Sequence, residues 1–240
     1  MATRAFPAQR IDAERRFFTG MAIAMVLATF IGFAPTYYLG AAFNAKPLAA
    51  VTHAHGIVFS AWMLLYLGQS GLVFAGRRDL HRMVGVAGAG LALLVFVLGV
   101  WVAIDSGHFG RGTPGRDQPA FLAYPLTNIT VFAIMAGTAI WKRAESAAHK
   151  RLMLLGTIAL VTTPLARITT MLGSPAPPPI GGMILSDLLF AALVLFDVKQ
   201  RGQLHYVTKW FGGAFLLSQP LRTAMSHSEA WQNFARLLLA

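Results

Sequence analysis

Seven histidines are spread along a chain that has no cysteine. Three of them recur in one setting, where a short basic corner leads into the next apolar run. The corners are Gly76 to Arg82, Lys142 to Arg151 and Lys199 to His205, and the histidines are His81, His149 and His205. A helix N-terminus and nearby cations both disfavour imidazolium, so these side chains are expected to be neutral near pH 7. Neutral imidazole is the form that ligates a metal. Two of the three are followed by further cations: Arg82 after His81, and Lys150 and Arg151 after His149. Such cations suit the anionic propionates of a haem. The pattern therefore points to a b-type haem with His81 and His149 as metal ligands and Arg82, Lys150 and Arg151 holding the cofactor. His205 is followed by Tyr206 and is expected only to mark the interface.

A second set lies toward the opposite ends of the same runs. His53 and His55 are two residues apart, about 200° around a helix, so only one can face inward. His55, followed by the small Gly56, is the better candidate. Arg167 and Asp187 read as the clear charges inside apolar runs. Arg167 lies ~24 Å along its helix from Arg151, and Asp187 lies ~10 Å in from the opposite entry of the next run. Their depths match, so an ion pair is expected, and ionisable groups within a membrane often mark function. With Tyr37, Tyr124 and Gln219 on the same side, His55, Arg167 and Asp187 outline a polar outer cavity. This supports a function of another class, in which a small solute or proton is bound or moved without a cofactor.

The elements that must position these residues are membrane helices. Hydrophobic residues make up 56% of the 240, charged residues only 12%, and the mean hydropathy is +0.58. A soluble domain carries about 25% charged residues. The net charge of +11 does not indicate nucleic acid, because the cations sit in turns rather than in a patch with interleaved aromatics. The absence of cysteine excludes disulfides, thiolate metal sites and covalent c-type haem attachment. No H-E-x-x-H, P-loop or G-x-S-x-G occurs. A retinal site is excluded because Lys209 stands at the start of the last run, not deep within it.

Seven spans are predicted, at about 17–39, 51–75, 83–104, 120–141, 151–172, 181–198 and 207–225, each able to cross a core of about 30 Å. Pro35 is expected to interrupt the first. Fourteen Lys and Arg fall on one side of this arrangement and five on the other, the latter being Lys46, Arg111, Arg116, Arg222 and Arg236. The imbalance places the N-terminus in the cytoplasm and the C-terminus outside. The fold class is thus an all-α polytopic bundle, with a cytoplasmic tail over 1–16, the bundle over 17–225 and its core over 51–172. The tail reads as an anchor rather than a cleavable signal. Gly85, Gly88, Gly90 and Gly99 suggest close packing and place the third span at the centre. The loop over 105–119 is rich in Gly and Pro and is expected to be mobile. Residues 226–240 are expected to form an outer interfacial helix, started by a capping box at Ser226 to Glu229, with Trp231, Phe234, Leu237 and Leu238 on one face.

The motifs His55-Gly56, Gln69, Leu80-His81-Arg82-Met83-Val84-Gly85, His149 to Leu155 and Ala166-Arg167 resemble those of a family of uncharacterised bacterial multi-pass membrane proteins. The likeness covers roughly residues 50–170. It implies a protein of the bacterial inner membrane. The arrangement is also distantly similar to b-type transmembrane cytochromes, in which four consecutive helices supply two histidine pairs. That similarity implies an inner haem on His81 and His149 and electron exchange with quinone or another membrane redox partner. An outer haem would need a histidine on the fourth span opposite His55, where this chain offers only Tyr124 and Asn128.

Overall fold

In a bilayer every backbone N–H and C=O must be satisfied within the chain, which leaves helices as the solution for apolar runs of this length. The computed structural model describes residues 8–110 and 117–240, all of them helix or short connection. The centre of the loop expected over 105–119, residues 111–116 with Arg111 and Arg116, lies outside the described residues, as does the start of the N-terminal tail. The helices are α1 (Ala8–Phe33), α2 (Ala50–Phe74), α3 (Arg78–His108), α4 (Gln118–Trp141), α5 (Ser146–Met171), α6 (Pro178–Arg201), α7 (Tyr206–Ser226) and α8 (Glu229–Leu239). Six of them, α1 to α6, are long and apolar enough to cross a membrane. α7 has the length, 21 residues, but carries Lys209, Gln219 and Arg222 along it.

Pro35 does not end the first helix. The helix widens there into a π turn over Ala34–Tyr38, closed by the Leu39 N–H donating to the Ala34 carbonyl (2.8 Å). Proline has no N–H to place in the ladder, and the wider turn accommodates it. The turn presents Tyr37 against Gly56 of α2, and the Tyr38 hydroxyl bonds Ser60 (2.7 Å).

The helices run up and down between two ends. At one end, called the basic end below, the starts of α3, α5 and α7 meet the start of α1 and the end of α6. At the far end lie the α1 turn, the start of α4, and α8. α5, not α3, is the central helix: 67% of its apolar stretch is buried, against 22% for α3. α5 touches α1, α4, α6 and α7. Of the four glycines expected to draw α3 inward, Gly85 and Gly90 face open space, and only Gly88 and Gly99 approach neighbours, Leu65 and Ile129. Small residues permit close packing, but they draw a helix in only where a partner helix meets them. Such meetings occur on α5, where Gly32 of α1 lies on Pro164 and Gly182 of α6 lies on Thr162 and Ala166. Aromatic pairs fill other gaps, with Trp62 edge-on to Phe132 at 4.9 Å and Phe17 stacked on Phe196 at 4.1 Å.

α8 docks across the far ends of α3 and α4. Its N-cap is Ser228, whose hydroxyl accepts from the Trp231 N–H; Ser226 remains the last residue of α7. The expected face is also divided. Trp231 turns inward, donating from Nε1 to the Pro119 carbonyl (2.7 Å), and Leu238 packs beside it. Phe234 and Leu237 stay exposed, as an interfacial helix requires.

Candidate functional site

His81 and His149 meet at the basic end. Each sits in the first turn of its helix, α3 or α5, and their ring centres are 6.2 Å apart at an interplanar angle of 85°. The Nδ1 of His149 lies 2.8 Å from the carbonyl of Ala139. A carbonyl can only accept, so Nδ1 carries the proton and the lone pair is left on Nε2. This is the usual outer partner of a metal-bound imidazole. The Gln69 amide of α2 lies 2.5 Å from Nδ1 of His81. Without a metal the hydrogen-bond pattern favours the amide nitrogen on that side. Ligation through Nε2 of His81 requires the amide oxygen there instead, accepting the Nδ1 proton. That orientation sets the amide nitrogen against the Gly85 N–H and the oxygen against the His81 carbonyl, so the contacts of Gln69 favour the tautomer with Nδ1 unprotonated.

The cations expected beside these histidines are mostly occupied. Lys150 forms an ion pair with Glu14 of α1. Arg151 is fully buried, and its Nε donates to both oxygens of Asp197 on α6 (3.0 and 3.2 Å), with Nη2 on the first of them as well. Asp197 also accepts from the Thr208 hydroxyl (2.5 Å) and the His205 backbone N–H (3.1 Å). Lys150 and Arg151 therefore hold protein carboxylates and are not free for propionates, which is a correction to the sequence reading. Arg82 alone of the three stays exposed.

His205 is more than an interface marker. It is the N-cap of α7, its Nδ1 accepting from the Val207 N–H (3.2 Å). Burial first, and then the charges of Arg151 and Arg201, push its pKa down to about 4. In the unfolded chain an ordinary histidine takes up its proton near pH 6.5. Stability from this residue is therefore complete above about pH 6.5 and is lost as pH falls toward 4, because the unfolded chain binds the proton first. Protonation also destroys the acceptor of the cap. His205→Asn keeps a capping oxygen and removes the titration. Thermal unfolding in maltoside micelles between pH 7.5 and 5 is expected to show a steeper loss for the wild type than for His205→Asn.

The expected outer cavity is not assembled. Arg167 and Asp187 form no ion pair. Arg167 donates from Nη1 to Thr36 at the α1 turn (3.1 Å) and lies over Phe33. Asp187 faces the other way and accepts from Gln219 of α7 (2.6 Å). Gly182 lies level with the Thr162–Ala166 turn of α5, so Asp187, further along α6 toward the basic end, sits ~10 Å from the level of Arg167. The two side chains leave opposite flanks of the α5–α6 pair. His55 stacks on Phe59 at 4.0 Å and reaches the Leu98 backbone of α3, apart from both. Asn128 serves Arg222 of α7 and does not oppose His55.

Sequence reading also missed three participants. Asp197 and Arg222 are fully buried or nearly so; both stand near predicted span ends, and Arg222 was counted with the outer cations. Glu14 fell in the tail. The signal available for Asp197 was a lone carboxylate inside the last turn of an apolar run, one helix away from an unmatched arginine. Comparison with protein-family models, with curated proteins and with solved structures finds no match to this chain.

Proposed function

We infer that this chain is a seven-span protein of the bacterial inner membrane, N-terminus cytoplasmic and C-terminus outside, in which His81 and His149 hold one metal centre for electron transfer. The observation that carries this reading is the pair of imidazoles from two helices brought together at the basic end, with ring centres 6.2 Å apart. The Ala139 carbonyl supports it by fixing the tautomer of His149. The excess of cations at the basic end supports the orientation. α7 counts as the seventh span because its polar residues Gln219 and Arg222 turn into the bundle rather than toward lipid.

The metal proposed is the iron of a b-type haem. The two imidazoles fit that group. Lys150 and Arg151 do not, since each already pairs with a carboxylate, and Arg82 is the one cation of the three left to meet a propionate. A bound haem would supply one-electron chemistry, with quinone or a membrane redox partner as the proposed exchange partner. The chain's own part is to orient the two imidazoles, His149 through the Ala139 carbonyl and His81 through Gln69.

The test is to purify the full chain from haem-supplied cells and record reduced-minus-oxidised spectra with metal analysis. A Soret band is expected, lost in both His81→Ala and His149→Ala and retained in His205→Asn. A colourless wild-type protein without bound iron sinks the proposal.

A further inference from the structure

A backbone carbonyl accepts one tautomer of the imidazole it meets, whereas a glutamine amide can serve both, according to which end it presents. His149 meets the Ala139 carbonyl through Nδ1, so its proton sits there and its bare nitrogen is Nε2. His81 meets Gln69 of α2 instead. The Gln69 amide touches three groups of α3: Nδ1 of His81, the His81 carbonyl (3.2 Å) and the Gly85 N–H (3.1 Å). The last two stand four residues apart, one rung of a helix. An amide laid across that rung is satisfied in one sense only, with its oxygen on the N–H and its nitrogen on the carbonyl. The same nitrogen is the atom that reaches Nδ1 of His81. The backbone of α3 thus fixes the amide, and the amide fixes the ring. Nδ1 of His81 accepts, and the ring proton goes to Nε2.

The two rings, 6.2 Å between centres, therefore carry opposite tautomers. His149 offers a lone pair on Nε2, and His81 offers an N–H. One lone pair rather than two is ready for a metal. To supply the second, the His81 proton must move to Nδ1, where the Gln69 N–H stands. The amide must then leave the orientation that its α3 contacts satisfy. Outer partners that accept the Nδ1 proton strengthen a ligating histidine, and changing such partners alters metal affinity about 10–100-fold. Gln69 acts in the opposite sense.

We propose that Gln69 is a positioning residue that holds His81 in the non-ligating tautomer, so that loading the histidine pair requires Gln69 to release the first turn of α3. Metal loading is thereby coupled to the contact between α2 and α3. The effect on loading rests on the metal reading given above, and the tautomer does not.

The experiment uses the full chain with isotope-labelled histidine, purified without haem in dodecyl maltoside at mildly alkaline pH. Nitrogen–proton correlation spectra of the rings distinguish the tautomers, and His81→Ala and His149→Ala assign the peaks. The wild type is expected to show His81 protonated at Nε2 and His149 at Nδ1. Gln69→Glu replaces the amide by a carboxylate that accepts from both Nδ1–H and the Gly85 N–H. It should move the His81 proton to Nδ1 and tighten binding of added hemin by about tenfold or more. A glutamine that merely packed α2 on α3 would change Tm in this variant and leave the proton where it was. His81 protonated at Nδ1 in the wild type overturns the proposal, and that spectrum decides even if Gln69→Glu fails to fold. Equal affinity for hemin in wild type and Gln69→Glu also overturns it. If neither protein binds hemin, the haem reading fails, and the tautomer spectra alone decide the role of Gln69.

Discussion

Asp197→Ala is expected to lower unfolding free energy in maltoside micelles by about 3–5 kcal/mol, the largest loss expected from a single side chain here. The carboxylate is fully buried and accepts from the Arg151 guanidinium, the Thr208 hydroxyl and the His205 backbone. It thereby ties α5, α6 and the start of α7 into one corner. Removing it leaves a buried guanidinium without an anion, and that is dearer than the pair itself is worth. The paired change should therefore be milder. Arg151→Met with Asp197→Leu is expected to recover most of the loss, because apolar residues of similar size fill the space without unmet charge. Denaturation of the two single variants and the double variant measures the coupling. Additive losses would mean that the two residues act independently.

Gly182→Val is expected to come next. A Cβ at this position would run into the Thr162 carbonyl and the Ala166 methyl on α5, and neither backbone can give way without parting the helices. Overpacking of this kind costs about 1–3 kcal/mol, and more where backbone is the obstacle. Gly32→Val should act similarly, since its Cβ would meet the backbone and ring of Pro164. Gly90→Val, where nothing lies within 4 Å, is the control and should be nearly neutral. Thermal unfolding of the three variants side by side tests the ranking. Equal losses at Gly90 and Gly182 would contradict α5 as the central helix.

The helices themselves were legible along the chain. Apolar runs predicted the helices α2 to α7 within about five residues at each end, because length, hydropathy and the need to satisfy the backbone leave few alternatives, whereas α1 starts at Ala8, well inside the segment expected to be a tail. The grouping of His81 with His149 was also legible, since both stand in the first turn of helices that start at the same end. Depth along a helix axis is a local property, 1.5 Å per residue, and the sequence carries it directly.

Rotation about that axis is not local, and there the reading failed. Arg167 and Asp187 face apart, toward α1 and α7. Arg151 and Lys150 stand beside the right histidine, yet they point to Asp197 and Glu14, partners from distant segments. Gly85 and Gly90 looked like packing surface and face open space, while Gly32 and Gly182 meet the backbone of α5. Hydropathy says which residues can lie in a bilayer, but lipid tails are as apolar as a protein core. The pattern of apolar residues therefore marks the inward face only weakly, and the identity of each helix's neighbours decides it. Composition and spacing settled that this chain crosses a membrane as helices with imidazoles at the basic end. The packing of α1, α4, α6 and α7 on α5 settled which charges pair, because an ion pair needs direction as well as depth.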